Sequence, residues 1–194
     1  MFVIAGLGNP GLLYQRTRHN AGYQALDRIA QELHIRVSKR GFSGVYGEGV
    51  YNGERVVLIK PTTYMNLSGD CIQAALHFYK CPVERLLVLY DDVELPAGSL
   101  RIRDKGGAGT HNGMRSVIAC VGSEAFPRIR IGVGDRRGGD LKDHVLGRPG
   151  KAEQAALEDA FCEAADAAKL ILEGKLQEAQ ARYNKRHIGG AKAD

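Results

Sequence analysis

The stretch FVIAGLGNPG, residues 2–11, decides the fold class, because it joins an apolar run to a glycine-rich turn. Residues 2–5 are β-favouring and apolar, which predicts a buried strand. The glycines that follow tolerate positive φ angles, so we expect the backbone to turn sharply there and to approach a ligand. Their spacing, Gly6-x-Gly8-x-x-Gly11, also matches the dinucleotide-binding fingerprint.

The residues after this turn weaken the dinucleotide interpretation. The fingerprint needs a helix that opens at the glycines, so that its N-terminal amides face a pyrophosphate. Pro10 instead disfavours helical angles at Asn9, and helical periodicity begins only near Asn20. We therefore expect the loop to deliver side chains such as Asn9, Tyr14 and His19 to a site. NAD(P) binding remains the less favoured alternative.

Strand and helix patterns alternate along the rest of the chain. Asn52-Gly53 is a strong hairpin signal, because both residues accept the positive φ of a type I′ turn. Strands are predicted at 44–51, 54–60, 86–90, 99–103 and 128–134, and a basic loop at 135–150. Helices are predicted at 20–33, about 70–79, 114–121, 151–172 and up to about 183.

These elements predict an α/β fold, in which helices flank a twisted mixed sheet that carries an inserted β-hairpin. We expect a single domain over 1–184 and a polar tail over 185–194. Thr17 or Asn20 is expected to cap the first helix with a side-chain oxygen. The alanine-rich helix at 151–172 is expected to form one wall of the ligand groove or to act as a lid over it.

The composition favours a polyanionic partner. The 194 residues carry a formal net charge of +5, and basic excess attracts phosphate-rich molecules. The basic residues of the second half are concentrated at Arg101, Arg103, Lys105, Arg128, Arg130, Arg136, Arg137, Lys142 and Arg148. The chain has neither an apolar run of about 20 residues nor a secretory start, so we expect an intracellular protein without membrane contact.

Polar residues follow the predicted strands at four points, and such strand ends can converge at one edge of a sheet. The four points are Asn9 with His19, Asn66, Asp91, and His111 with Asn112. A histidine beside a carboxylate predicts general-base catalysis at neutral pH. The chain contains no GxSxG nucleophile elbow, so water is the expected nucleophile. It also lacks HxxxH and CxxC pairs, so we expect no metal site.

Four motifs of this chain together closely resemble those of bacterial peptidyl-tRNA hydrolase. They are GLGNPG at 6–11, TRHNAG at 17–22, KPTTYMNLSG at 60–69 and HNG at 111–113. The resemblance implies an esterase that cleaves the bond between a peptide and the 3′ end of tRNA and so recycles the tRNA. It further implies a cytoplasmic monomer that needs neither metal nor cofactor and has no obligate protein partner.

The resemblance also assigns roles by motif position. His19 resembles the family's catalytic base and Asp91 its carboxylate partner, although Asp92 stays open as the orienting residue. The remaining roles are substrate binding by Asn9, Asn66 and Asn112, shaping of the groove by Tyr14, Tyr64 and Met65, and binding of the tRNA 5′ phosphate by Arg103 and Arg130. The chain departs from the family pattern at Tyr64, Glu94, Ala108 and Thr110.

A second class of function stays open beside the hydrolase. A tRNA-binding protein without catalysis would keep the basic segment but would be indifferent to His19→Ala. An NAD(P)-dependent oxidoreductase would instead need an acidic residue after a second parallel strand, where this sequence has a hairpin.

Overall fold

A computed structural model describes residues 1–135 and 138–184 of the chain. Its centre is a seven-stranded mixed sheet with the strand order β2-β3-β4-β1-β5-β7-β6. The strands are β1 (Phe2–Gly6), β2 (Lys39–Gly41), β3 (Gly44–Tyr51), β4 (Glu54–Pro61), β5 (Leu86–Asp92), β6 (Leu100–Arg103) and β7 (Arg128–Gly132). Arg136, Arg137 and the predicted tail at 185–194 lie outside the described residues.

Four parallel strands form the middle of the sheet. β1 pairs with β4 and β5, and β7 pairs with β5, all in parallel. β2, β3 and β6 add antiparallel strands at the two edges. Every residue of β1 and β5 is buried, as expected for strands covered by helices on both faces. The predicted mixed α/β sheet is therefore confirmed.

Helices cover both faces of this sheet. α1 (Ala21–Glu32), α5 (Lys151–Leu172) and α6 (Leu176–Tyr183) share one apolar core with the sheet. α2 (Ser68–Tyr79) and α3 (Asn112–Val121) share the core on the opposite face. The regular structure of the described residues is completed by the remaining helix, α4 (Leu141–Leu146), and by three short 3₁₀ turns at Arg18–Asn20, Met65–Leu67 and Val83–Arg85.

The inserted hairpin forms as predicted. Asn52 and Gly53 have φ angles of 47° and 79°, as the type I′ turn requires. Two elements were not predicted. β2 is a three-residue strand of exposed or half-buried side chains, and α4 lies within the segment predicted as a loop. α4 is short, and its first turn is capped by the Asp140 carboxylate, which accepts the Lys142 amide at 3.3 Å.

The opening glycines allow close packing of a helix on the sheet. A Cβ at Gly6 would overlap the carbonyl oxygen of Gly22, and a Cβ at Gly22 would overlap the carbonyl oxygen of Leu89. A Cβ at Gly8 would lie 2.6 Å from the Tyr23 ring. Of the opening glycines, only Gly11 has a positive φ, 105°. The missing side chains at Gly6, Gly8 and Gly22 therefore let α1 pack directly on β1 and β5.

Candidate active site

A cleft of about 740 Å³ opens at the carboxyl ends of β1, β4 and β5. The loop after β1, the 3₁₀ turn after β4, the end of β5, the glycine-rich segment 107–110 and α4 all contribute to its lining. Nine of the predicted site residues line it: Asn9, Tyr14, His19, Tyr64, Met65, Asn66, Asp91, Asn112 and Arg130. Arg103 is the predicted site residue that does not.

His19 and Asp91 form the polar centre of the cleft. His19 Nδ1 lies 3.0 Å and 2.9 Å from the two carboxylate oxygens of Asp91. Asp91 is 2 % exposed and the His19 side chain is 14 % exposed. Because Nδ1 faces a carboxylate, it carries the ring proton and donates it, which leaves the lone pair of Nε2 free to accept a proton.

His111 is a second imidazole on the same carboxylate. Its Nε2 donates to Asp91 Oδ1 at 2.7 Å, and its Nδ1 accepts the Met114 amide at 3.2 Å. These two bonds define the tautomer with the proton on Nε2. The position of His111 directly after the glycine segment hinted at a polar site, but no sequence pattern indicated that two rings would share one acid.

The environment moves the pKa values of His19 and Asp91 in opposite directions. Burial lowers the pKa of His19, but the charge and hydrogen bond of Asp91 outweigh it, so the pKa lies above its ordinary 6.5. Burial raises the pKa of Asp91, but both imidazoles favour its charged form, and the pKa lies well below its usual range. Asp91 is therefore ionised at neutral pH and can stabilise a proton on His19.

Asn9 is held in one orientation by three hydrogen bonds. Its Oδ1 accepts the Met65 amide at 2.8 Å, and its backbone N–H and C=O pair with the side chain of Asn20 at 2.8 Å and 2.9 Å. The prediction that Thr17 or Asn20 caps the first helix is wrong. The side chain of Asn20 bonds to the backbone of Asn9, and the Thr17 hydroxyl donates to the Tyr14 carbonyl, so neither side chain caps the helix. Asn9 Nδ2 bonds to none of the described residues and remains available as a donor.

Tyr64 and Met65 line the wall of the cleft beside Asn9. Tyr64 is 55 % exposed and has a φ of 62°, a backbone conformation that costs a non-glycine residue of order 1–3 kcal/mol. Met65 is buried, and a Cβ at Gly113 would lie only 2.5 Å from the Met65 sulfur. Glycine at 113 thus allows the start of α3 to approach the Met65 turn.

Asp92 points away from Asp91, as neighbouring residues on an extended strand do. It binds Arg130 through Oδ2 and accepts the Glu94 amide at 2.9 Å through Oδ1. Arg130 also lies 3.5 Å from the Glu94 carboxylate. The expectation that β5 stops before these carboxylates is wrong, because both aspartates pair with β7. Asp91 is therefore the acid that contacts His19.

Arg103 and Arg130 lie on the same face of the sheet although only Arg130 reaches the cleft. In the β6–β7 register, Arg103 is opposite Arg128 and Arg101 is opposite Arg130, and such positions share a face. Arg128 is 1 % exposed and stacks on Phe126 at 4.3 Å. Burial lowers the pKa of Arg128. From the sequence, Arg128 was predicted only as one residue of the basic run in the second half of the chain.

Arg128 anchors the glycine segment that follows β6. Its guanidinium donates to the carbonyls of Gly106, Gly107, Glu124 and Phe126. A buried guanidinium satisfied by carbonyl groups connects the start of the segment 107–110 to the sheet. The segment leads directly into His111 and Asn112, so Arg128 helps to define where these two residues sit.

The wall opposite the strands is α4, not the alanine-rich helix. Leu141, Lys142, Val145 and Leu146 of α4 line the cleft, whereas no residue of α5 does. α5 packs on α1 in the core, so its predicted role as a wall or lid is wrong. Arg18 lies in the turn that carries His19 and connects it to two helices, by donating to the His144 carbonyl of α4 at 3.2 Å and to Glu153 of α5 at 2.7 Å.

One cluster has the composition of a metal site. The ligand atoms of His19, Asp91 and His111 lie within 4.8 Å of one another. In the present arrangement the two ring nitrogens that face Asp91 are hydrogen-bonded to it. A metal would need both of these nitrogens deprotonated. The expectation of a site without metal stays a prediction.

The sequence model of the family described as "Peptidyl-tRNA hydrolase" matches residues 3–190 of this chain. The chain belongs to the peptidyl-tRNA hydrolase family. It is 47% identical over 184 residues to the peptidyl-tRNA hydrolase of Caldanaerobacter subterraneus subsp. tengcongensis, covering 95% of this chain and all of that protein. The enzyme of Clostridium novyi is also 47% identical, with 95% and 98% of the two chains covered.

A solved peptidyl-tRNA hydrolase shares this fold. The crystal structure of the enzyme from Acinetobacter baumannii superimposes with a TM-score of 0.90 at 34% identity, over 95% of this chain and 94% of that one. The resemblance read from the motifs is thus confirmed, and the alternatives of an NAD(P)-dependent oxidoreductase and of a binding protein without catalysis are not. Within residues 1–135 and 138–184, none of the helices has the length and apolar character needed to span a bilayer.

Proposed function

We propose that this peptidyl-tRNA hydrolase family member cleaves the ester bond between peptide and tRNA by using His19 to activate water. One observation carries the mechanism. His19 Nδ1 is bound to the ionised Asp91 at 2.9 Å, so the basic Nε2 is left for a water in a cleft that also holds three asparagines. A neutral imidazole next to a buried carboxylate is a suitable general base near pH 7.

The reaction proceeds in two proton transfers. His19 Nε2 takes a proton from water while the water oxygen bonds to the ester carbonyl carbon, and the carbonyl π electrons move to oxygen. Asp91 stabilises the resulting imidazolium. The tetrahedral intermediate then expels the 3′ oxygen of the tRNA, which receives the proton from His19. The products are a peptide with a free carboxyl group and a tRNA with a free 3′ terminus.

The three asparagines are proposed to bind the backbone of the peptide and the reacting carbonyl. Asn9 is oriented as a donor because Met65 occupies its Oδ1, and a donor aimed at a developing oxyanion stabilises it. Asn66 is exposed at the cleft, and its side chain forms no hydrogen bond with the described residues. Contacts to a peptide backbone read no side chains, so weak sequence selectivity is expected.

The arginine face is proposed to bind the tRNA. Arg103 is exposed on β6, and Arg130 lies beside the cleft on the same face. We propose that these two bind the 5′ phosphate, with Lys142 near the acceptor stem. Arg130 already binds Asp92 and lies near Glu94, so Arg103 is expected to contribute more to affinity. Phosphate contacts of this kind make binding fall steeply with salt.

We propose a monomer without an obligate protein partner, as the resemblance to bacterial peptidyl-tRNA hydrolase implies. Size-exclusion chromatography with light scattering tests the monomer. We propose that no cofactor takes part, since base, acid and amide donors account for the reaction. The cytoplasm is the proposed location, because peptidyl-tRNA arises there.

The decisive experiment is cleavage of N-acetyl-aminoacyl-tRNA by the wild type and by His19→Ala. The expected result is rapid release by the wild type and a loss of about 10²-fold or more in the variant. His77→Ala is the matched control variant, because His77 is exposed on α2. Unblocked aminoacyl-tRNA is the control substrate, which tests whether cleavage needs a blocked amine. If the wild type binds tRNA but releases nothing, the hydrolase proposal fails and a binding module takes its place.

A further inference from the structure

Arg115 spans two elements of the cleft with one side chain. Its Nη1 donates to Asn112 Oδ1 at 3.2 Å, and its Nη2 donates to the Gly109 carbonyl at 3.2 Å. Gly109 belongs to the cleft-lining segment 107–110, and Asn112 begins α3. The planar guanidinium offers paired donors in a fixed geometry, so both bonds can form together.

The bond to Oδ1 determines which end of the Asn112 amide is available. A side-chain amide is planar and carries an acceptor and a donor on opposite sides, so a bound Oδ1 leaves Nδ2 as the free group. Asn112 lines the cleft, and its Nδ2 bonds to no described residue. Asn9 is oriented in the same way, with the Met65 amide on its Oδ1. Two asparagines of the cleft are thus held as donors.

The bond to Gly109 restrains a segment that has few other contacts. Gly109 has a φ of 56°, and a Cβ there would have no atom within 4 Å. Arg128 holds the start of the segment at Gly106 and Gly107, and Arg115 holds it near its end. Since the segment leads into His111, its position also affects the ring that binds Asp91.

We propose that Arg115 is a positioning residue for the ester hydrolysis, which aims Asn112 Nδ2 at the substrate carbonyl and restrains the glycine segment. The proposal rests on the proposed function of the cleft. Arg115 is exposed, and its guanidinium is an alternative contact for a tRNA phosphate. The two roles differ in what they require of the substrate: a positioning role acts on any ester in the cleft, whereas a phosphate contact needs the tRNA body.

The test compares Arg115→Met and Arg115→Lys on two substrates. One is N-acetyl-aminoacyl-tRNA, and the other is the same N-acetyl-aminoacyl ester on a trinucleotide that lacks the tRNA body. For Arg115→Met we expect kcat to fall about 3- to 10-fold on both substrates, the effect of one to two net hydrogen bonds. The slope of log KM against log salt should stay unchanged. Lysine can replace only one bond, so Arg115→Lys should lie in between.

A double-mutant cycle with Asn112→Ala shows whether Arg115 acts through Asn112. The Met substitution should cost less in the Asn112→Ala background than in the wild type, since its target amide is already absent. Arg85→Met is the control, because Arg85 stacks on Phe2 at 4.7 Å, away from the cleft. Nitrogen-15 relaxation gives a readout without activity: Arg115→Met should increase the mobility of the Asn112 side-chain amide and of the Gly109 amide.

Three results would overturn the proposal. They are a loss confined to the full tRNA with a shallower salt slope, a loss that adds fully to that of Asn112→Ala, and amides whose mobility does not change. If the wild type cleaves neither substrate, the proposed function fails. The relaxation experiment then still decides whether Arg115 orients Asn112.

Discussion

Asp91→Asn should disable His19 without removing any side-chain volume. Asp91 accepts from His19 Nδ1 and from His111 Nε2, whereas asparagine offers one acceptor and one donor. His111 must keep its Nε2 proton, because its Nδ1 accepts the Met114 amide. The asparagine oxygen therefore turns to His111 and its NH₂ faces His19. His19 then holds its proton on Nε2, where the base needs a lone pair.

The size of the effect follows from what a general base contributes. Positioned proton transfer accelerates a reaction about 10²- to 10⁴-fold, which corresponds to about 3–5 kcal/mol of barrier. We expect kcat to fall within this range. The pH profile should move as well: the acid limb of the wild type lies above pH 6.5, because Asp91 raises the pKa of His19. Without the Asp91 charge only burial acts on the pKa of His19, and burial lowers it. The acid limb of the residual activity of Asp91→Asn should therefore move below pH 6.5.

Single-turnover cleavage of N-acetyl-aminoacyl-tRNA from pH 5 to 9 measures both quantities. Asp92→Asn is the matched variant, since Asp92 binds Arg130 and does not contact His19. It should change KM and salt dependence while the acid limb stays in place. A kcat of Asp91→Asn within about threefold of the wild type, or an acid limb that does not move, would refute this role of Asp91.

Three further predictions concern stability, pH and metals. Gly22→Ala places a methyl group against the Leu89 carbonyl oxygen, so the free energy of unfolding in urea should fall by about 1–3 kcal/mol. Gly150→Ala is the control, because a Cβ at Gly150 meets no atom within 4 Å, and its free energy of unfolding should stay within about 0.5 kcal/mol of the wild type. Equal effects of the two substitutions would contradict close packing of α1. The raised His19 pKa stabilises the fold fully below pH 6.5, and this contribution should fade as the pH rises through the folded-state pKa; urea midpoints that show the same pH dependence in His19→Gln would disprove it. Dialysis against EDTA should leave cleavage unchanged; a loss that zinc restores would instead assign a metal to His19, Asp91 and His111.

Several parts of the fold could be predicted because their causes are local. Asn52-Gly53 accepts positive φ angles without outside help, so the hairpin between β3 and β4 was predicted within a residue or so. α5 spans Lys151–Leu172, the range predicted from its alanine-rich composition and from Gly174 after it. α4 was missed because six residues carry too little periodicity, and β2 because its pairing with β3, not its composition, makes it a strand.

The candidate site divides in the same way. The motifs pointed to the residues around the cleft, and the family match confirmed the resemblance on which their roles rest. The motifs could not show that Asn20 binds the backbone of Asn9 instead of capping α1. They also could not show that α4, and not α5, forms a wall of the cleft. They also gave no sign that Arg128 anchors the glycine segment.

The sequence by itself determined the α/β class, the hairpin, the main helices and the family. The tertiary structure decided which groups meet. His19 reaches Asp91 across 72 residues because α1 packs against β1 and β5 through Gly6 and Gly22, and the β5–β7 pairing continues through Asp91. His111 joins the same carboxylate from 20 residues further on. Local propensities act over a few residues, whereas strand order, register and close packing set distances across the sheet.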